Sequence, residues 1–213
     1  MKRILFLLLV LVHSSSISFA QKKAITELGE EVVLFEDGTW KYQSKEQTTE
    51  QKIATNDKKF VKNEKSSFLL KSSKFNIGFW IDPKAWTFKK GEKNEDAEYE
   101  MHLKDGDLYA MIITEKIEIP LETLKTVAFE NGKEAAPDLK IEKEEFRNVN
   151  GKTLLFLQKS GTIKGIKFTY YGYYYSNPNG TVQFITYTAQ NMLSKYVGEC
   201  EKLLNGFVEL NEK

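Results

Sequence analysis

The sequence has few of the residues from which metal sites and most catalytic sites are built. It contains one cysteine, Cys200, and two histidines, of which His102 alone lies beyond the first 20 residues. A single cysteine excludes an intramolecular disulfide, and one histidine with one cysteine cannot complete a zinc site. No glycine-rich phosphate loop and no nucleophile elbow occurs. The sequence therefore predicts no cofactor, no metal and no enzymatic activity.

The chain also has little net charge. Its 31 basic and 30 acidic residues give a formal charge of +1. Removal of the N-terminal leader described below takes away Lys2 and Arg3 but no acid, and leaves −1. A nearly neutral protein has no field that attracts nucleic acid or an anionic membrane. We therefore expect neither as a partner.

One long apolar run is present, and it stands at the N-terminus. Ile4 to Val12 follow Lys2 and Arg3, and the small residues Ser18 and Ala20 have the spacing that a signal peptidase reads. A run of this length is too short to cross a bilayer, which takes about 20 residues. Residues 1–20 are therefore predicted to be a signal peptide cleaved after Ala20. The mature protein is predicted to have no membrane span and to be periplasmic or extracellular.

The mature chain divides into three zones. Residues 21–43 alternate in polarity around Asp37-Gly38 and predict a small β-hairpin that needs a surface to pack on. Residues 44–67 are polar and charged, which is typical of a linker or a loose helix. Residues 68–213 contain most of the large apolar side chains and form the main domain.

The main domain is predicted to be α+β. Hairpin turns between neighbouring strands favour an antiparallel sheet of about six to seven strands, with helices packed on it. The charged stretch 139–146 is typical of an edge strand. The stretch 152–160 is apolar on both alternating sets, which predicts a layer on each side of the sheet. Strands are predicted near 75–81, 97–103, 108–119, 139–146, 152–160, 166–175 and 181–190, and helices near 120–132 and 191–205.

This pattern resembles the PsbP-like superfamily over about residues 68–208. The resemblance rests on the order of elements and on the opening Asp82-Pro83-Lys84-Ala85-Trp86. It implies a layered α/β/α sandwich and a role in binding or assembly, with no catalytic residues to carry over. Separately, "VVLFEDGTWKY" is similar to a "DGTW" segment of secreted Gram-negative proteins, to which no known activity is attached.

The stretch 164–189 is unusually rich in tyrosine. Pairing Tyr175 with Thr181 across a five-residue loop places Tyr171, Tyr173, Tyr175 and Tyr187 on one face of two neighbouring strands. Three same-face tyrosines on one strand make a rigid amphipathic stripe suited to a protein, a peptide or a glycan. The alternative is that their rings pack in the core. The sequence leaves both interpretations open.

These observations lead to three functional hypotheses. The first is an exported, non-enzymatic binding or assembly module, with an unknown protein as its partner. The second is a hydrolase whose paired carboxylates meet only in the fold. The third is a carbohydrate-binding module that uses the tyrosine stripe. His102 is predicted to lie on the solvent face of its strand, and Cys200 to be a small buried hydrophobe of the last helix.

Overall fold

The computed structural model of the protein describes residues 22–26, 31–35, 37–42, 52–92 and 94–210. The predicted leader and its cleavage site at Ala20 lie outside these residues. The helices of the described part are α1 (Leu121–Ala135) and α2 (Leu193–Leu204), which follows a 3-10 turn (Gln190–Met192). The strands are β1 (Lys22–Ile25), β2 (Glu31–Leu34), β3 (Trp40–Tyr42), β4 (Thr55–Phe60), β5 (Phe68–Lys71), β6 (Ile77–Ile81), β7 (Trp86–Lys90), β8 (Ala97–Leu103), β9 (Tyr109–Glu115), β10 (Lys140–Val149), β11 (Lys152–Ile163), β12 (Ile166–Asn177), β13 (Gly180–Ala189) and β14 (Phe207–Glu209).

A mixed sheet of eight strands forms the centre of the protein. Its strand order is β4-β10-β11-β12-β13-β9-β8-β7. All neighbours are antiparallel except β4 and β10, which run parallel. The predicted α+β class is therefore right, but the sheet is larger than predicted and is not purely antiparallel.

The central sheet contains two strands that the sequence did not predict, β4 and β7, whereas the predicted strand near 75–81 is β6 of a separate small sheet. The parallel pair arises from β4, which lies in the stretch predicted to be a linker or a loose helix. β4 pairs with residues 146–149 of β10, so the predicted edge stretch 139–146 is an edge up to Glu145 and is covered from Phe146 onwards. The main-chain N–H of Phe146 donates to Ala54 O, and Phe60 is buried. The sequence of β4 is polar and gives no local indication of a strand. Its pairing with β10, which is distant in the sequence, and one buried ring hold it in place.

Layers cover both faces of the central sheet, as the apolar sequence of β11 predicts. On one face α1 packs through Leu124 and Ala128 onto Leu155 and Leu157. On the other face α2 and a three-stranded sheet of order β14-β6-β5 pack onto the cluster that contains Phe156. Both helices lie where the sequence predicts them, and neither helix of the described residues combines the length and the apolar character needed to cross a membrane.

The N-terminal residues that the structure describes form a separate small sheet of order β1-β2-β3. The predicted hairpin corresponds to β2 and β3, and β1 adds a third strand. The turn between β2 and β3 contains Gly38, whose φ is 81°, and the Asp37 carboxylate accepts from the main-chain N–H and the hydroxyl of Thr39. Because aspartate and glycine favour such a turn, the hairpin could be predicted from the sequence.

The register of β12 and β13 differs by one residue from the predicted register. Asn177 pairs with Gly180, so the loop is two residues long and Tyr175 pairs with Val182 instead of Thr181. Glycine is required at position 180, because its φ is 155° and a Cβ there would lie 2.3 Å from Glu115 O. A shift of one residue moves every cross-strand neighbour to the other face of the sheet.

Gly172 marks a close approach between β12 and β13, and replacing it with alanine is expected to destabilise the domain. A Cβ at this position would lie 3.0 Å from Phe184 O and 3.1 Å from the Ile185 Cα, both backbone atoms of a central strand. Overpacking of this kind costs about 1–3 kcal/mol. The measurement is the free energy of unfolding in urea.

Gly198→Ala is the matched control. Gly198 lies inside α2 and a Cβ there meets no atom within 4 Å. This variant is expected to gain about 1 kcal/mol of stability, because alanine is the better helix former. If Gly172→Ala raised the free energy of unfolding as much as Gly198→Ala does, β12 and β13 would have moved apart to accommodate the added methyl group.

Candidate functional site

The predicted tyrosine stripe is not an exposed surface. Tyr171, Tyr173 and Tyr175 are buried, with exposed fractions of 4%, 1% and 7%. They lie in the cluster beneath α2 and the three-stranded sheet. Tyr187 lies on the opposite face of the central sheet, as the partner of Tyr170. The prediction of one exposed four-tyrosine surface is therefore wrong for two reasons. The layer of α2 and the three-stranded sheet buries Tyr171, Tyr173 and Tyr175, and the one-residue change of register moves Tyr187 to the other face.

Arg147 sits beside the buried tyrosines at the centre of a polar cluster. Its exposed fraction is 3%, and its guanidinium carbon lies 3.7 Å from the centre of the Phe156 ring and 4.5 Å from that of Phe60. Its Nε donates to Glu145 Oε1 over 2.6 Å. The ion pair is therefore held between two aromatic rings, inside the protein.

The tyrosine hydroxyls complete this cluster. An N–H of the Arg147 guanidinium lies 3.3 Å from the hydroxyl oxygens of both Tyr171 and Tyr173. The two hydroxyls in turn donate to Glu201 Oε1 over 3.0 Å and to Asn205 Oδ1 over 2.9 Å. Burial raises the pKa of Tyr173 to about 12, although Arg147 opposes the rise. The hydroxyls are thus used for bonds within the core.

The carboxylate of Glu145 is held ionised in the same cluster. Burial by itself opposes its ionisation. Hydrogen bonds from Arg147, Asn56 and Lys143 outweigh burial and hold its pKa below the ordinary value. Asn56 belongs to β4, so the cluster also fixes the parallel strand to the sheet. We interpret this cluster as a structural element.

Glu98 is another acid that accepts several hydrogen bonds, and it also has a structural role. Glu98 accepts from the hydroxyls of Ser72, Ser73 and Thr114, and from the main-chain N–H of Ser73. Burial opposes ionisation of Glu98, but these bonds outweigh it and lower the pKa. Glu98 thereby ties the loop after β5 to the central sheet.

In the part of the chain that the structure describes, no element covers half of the sheet face that carries α1, and this half presents a row of aromatic rings. His102, Tyr109, Tyr187 and Tyr170 are successive cross-strand partners on β8, β9, β13 and β12. We call these four residues the aromatic row. Tyr109 has an exposed fraction of 38%, and the other three side chains are half-buried. The prediction that His102 lies away from the core is in agreement with this position.

Three rings of the aromatic row, those of His102, Tyr109 and Tyr187, are stacked face to face, and the fourth is edge-on. His102 and Tyr109 have ring centres 4.7 Å apart and planes at 26°, and Tyr109 and Tyr187 have centres 5.5 Å apart and planes at 20°. Tyr170 meets Tyr187 edge-on at 5.9 Å. Because neighbouring rings cover each other's faces, the row presents mainly ring edges to a partner. Burial raises the pKa of Tyr170 and of Tyr187, so both are neutral at physiological pH.

A surface cavity of about 290 Å³ lies on the other side of the protein, next to α2. Trp86 and Leu203 line it, and both are buried. Charged side chains of both signs surround it, among them Lys202 and Glu199, which pair over 2.6 Å. In the part of the chain that the structure describes, no three His, Cys, Asp or Glu side chains are placed to hold a metal ion. Cys200 is fully buried, as predicted, and burial raises its pKa to about 11.

No protein-family model and no curated protein matches this chain. Three solved structures resemble it, with sequence identities of 11–12% to this chain. The cyanobacterial PsbP protein CyanoP of Synechocystis sp. PCC 6803 has 12% identity and a TM-score of 0.51, over 67% of this chain and 91% of CyanoP. PA94 of Pseudomonas aeruginosa, a protein of unknown function, has 11% identity and a TM-score of 0.44, over 68% of this chain and 98% of its own.

The third structure is LpqN of Mycobacterium tuberculosis, which is involved in cell envelope biogenesis. It has 12% identity and a TM-score of 0.46, over 63% of this chain and 83% of LpqN. At such identities a likeness concerns the fold alone, and the similarity of the "DGTW" segment stays a prediction. The likeness to CyanoP, together with the element order, supports a PsbP-like fold for this chain.

Proposed function

We propose that this protein is an exported, non-enzymatic binding or assembly module, and that it holds a partner protein on the aromatic row. The observation that carries the proposal is the row itself. It places four aromatic side chains side by side on a sheet face that α1 leaves uncovered. Aromatic side chains supply large contact areas at low entropic cost and are enriched at protein interfaces.

Export is proposed from the N-terminal sequence. The basic start, the apolar run and Ala20 have the pattern of a cleaved leader. A chain that carries such a leader is released on the far side of the inner membrane. We therefore propose the periplasm or the medium as the location of the mature protein, and the PsbP-like fold is compatible with either.

The proposal of a non-enzymatic role rests on what the acidic clusters do. Glu98 and Glu145 have hydrogen-bond partners that explain their positions without a substrate. Three acids line the cavity beside α2, namely Asp82, Asp105 and Glu199; Asp82 accepts from the main-chain N–H of Lys84, and Glu199 is paired with Lys202. A hydrolase would instead need carboxylates that converge on an open cleft. The arrangement around these acids favours a binding module.

Carbohydrate binding is the weaker alternative, for a geometric reason. A sugar ring packs against the open face of an aromatic side chain. In the aromatic row the faces of His102 and Tyr109 are turned towards each other, as are those of Tyr109 and Tyr187. Ring edges that combine apolar carbon with hydroxyl groups suit a protein surface better.

Site-specific crosslinking in the producing cells tests the proposal. With the photoreactive p-benzoylphenylalanine in place of Tyr109, we expect covalent adducts with one envelope protein. The same group in place of Val61, whose exposed fraction is 65%, is the control and is expected to give several-fold fewer adducts. Equal yields at the two positions would refute the proposed surface, and specific binding of the protein on a glycan array would favour the carbohydrate alternative.

A further inference from the structure

The uncovered part of the sheet is continuous with the apolar layer beneath α1. The cluster that contains Leu124 and Leu155 extends outwards through Ile185 to Met111. Met111 and Ile185 are partners on β9 and β13, directly beside the aromatic row. The sheet face thus carries one helix on β10, β11 and β12, and no second helix of the described residues lies over β13, β9, β8 and β7. We call this second half the open half-face.

The size of the open half-face limits what can cover it. Four strands about 4.8 Å apart give a width of roughly 19 Å. Two to three rows of side chains along the strands give a length of about 13–20 Å. Asn94 bounds one end, because its main-chain N–H donates to Glu100 and its side-chain amide lies 3.6 Å from the Met111 sulfur.

The resulting area is roughly 300 Å². A stable interface between two globular proteins takes about 800 Å² on each partner. The open half-face alone is therefore too small for a flat contact with any globular surface, including that of a second copy of this chain, and suits one protruding element of a partner. A single helix, with a diameter of about 10–12 Å, fits the width and would use about three turns of its length.

Backbone chemistry favours a helix over an extended strand. A strand laid on a sheet face cannot pair its N–H and C=O groups with the sheet, because the sheet offers such groups at its edges. A helix satisfies these groups within itself. The surface is also mixed in polarity. Lys89 and Glu100 lie 3.7 Å apart beside the apolar side chains, so a covering helix needs a polar flank next to its apolar stripe.

We infer that the partner contributes one amphipathic helix, which packs on the open half-face beside α1. This inference rests on the proposed function and adds the structural class of the bound element. The helix would place its apolar stripe on Tyr109, Tyr187 and Met111. Its polar flank would face the ring-edge hydroxyls and the pair formed by Lys89 and Glu100.

Crosslinking from three positions tests this inference on the full chain. The photoreactive residue replaces Tyr109, Met111 or Tyr187 in turn, and the attached residues of the partner are mapped by mass spectrometry. We expect all of them in one segment of one protein, spaced three, four or seven residues apart. A synthetic peptide of that segment should gain helical circular dichroism when the purified protein is added. Tyr109→Ser should weaken its binding by roughly tenfold or more.

The possible outcomes separate the two proposals. Partner residues spaced two apart indicate a strand, and adducts with a second copy or with the protein's own N-terminal segment indicate another occupant. Each of these results overturns the helix. Adducts no more frequent than at Val61 overturn the proposed surface and the helix together. Because the crosslinks are measured without Tyr109→Ser, a folding defect of that variant leaves the test intact.

Discussion

Arg147→Ala is expected to lower the free energy of unfolding by about 3–5 kcal/mol, which is the usual cost of removing one partner of a buried ion pair. The substitution leaves Glu145 buried without its closest cation and removes the guanidinium from between the rings of Phe60 and Phe156. It also takes a hydrogen bond from each of the hydroxyls of Tyr171 and Tyr173. The measurement is urea unfolding followed by tryptophan fluorescence.

Two comparisons make this prediction specific. Lys140 pairs with Glu142 over 3.0 Å, but the Lys140 side chain is 66% exposed. Lys140→Ala is therefore expected to change stability by less than about 1 kcal/mol. Replacing Arg147 and Glu145 together with methionine should recover most of the loss, because a buried pair can be exchanged for apolar side chains of similar volume. A loss below about 1 kcal/mol for Arg147→Ala would contradict the structural role of the pair.

The buried position of Arg147 and its role in the polar cluster were not predicted from the sequence. Arg147 directly follows the charged stretch 139–146 that is typical of an edge strand, and its burial depends on rings from β4 and β11. One signal was available. The chain has two arginines, and Arg147 is the one outside the predicted leader, whereas lysine supplies the other basic side chains. A guanidinium is more weakly hydrated than an ammonium group and suits a buried pair between aromatic rings.

The fold follows from the sequence where local patterns agree with the tertiary environment. Leu154 to Leu157 are apolar on both alternating sets, and the structure covers both faces of β11. The stripe Leu121, Leu124 and Ala128 predicts the buried face of α1; Leu124 and Ala128 are buried, and Leu121 is half-buried. In such segments the period of the apolar residues is set by the layer that they contact, so the period is enough for prediction.

The tyrosine site could not be predicted, because the layer that buries Tyr171, Tyr173 and Tyr175 leaves no mark on their own strand and one residue of register decides the face of Tyr187. The segment from Ser176 to Gly180 is compatible with a loop of five residues or of two, and Tyr187 changes sides between them. Tyrosine also occurs both in buried cores and on exposed surfaces, since its ring packs in a core and its hydroxyl forms a hydrogen bond there. Composition alone cannot separate a buried stripe from an exposed one.

Lys159 provides the second large effect, which appears as a dependence of stability on pH. Its exposed fraction is 3%, and its ammonium group donates to Ala128 O over 2.9 Å and lies over the rings of Tyr170 and Tyr174. Among the described residues no carboxylate forms an ion pair with it. Burial lowers its pKa from 10.5 to about 8.

The sign of the effect follows from proton binding. Between pH 8 and 10.5 the unfolded chain keeps the proton on Lys159, while the folded protein has lost it. The unfolded state binds more protons in this range, so stability rises with pH. The destabilising contribution is fully present below pH 8 and amounts to about 3 kcal/mol, since each unit of pKa corresponds to about 1.4 kcal/mol.

Lys159→Met is therefore expected to be more stable than the wild type by up to about 3 kcal/mol at pH 7, and this gap should shrink towards zero by about pH 10. Cys200, whose pKa burial raises to about 11, lowers stability as pH rises above 9, but it does so in both proteins and cancels in the difference. Urea unfolding of the pair at pH 7, 8, 9 and 10 measures the gap. Lys167→Met, which removes an exposed lysine of β12, controls for the general loss of a positive charge and should give a constant difference. A gap between Lys159→Met and the wild type that stays constant over this range would mean that the ammonium group is solvated in the folded protein.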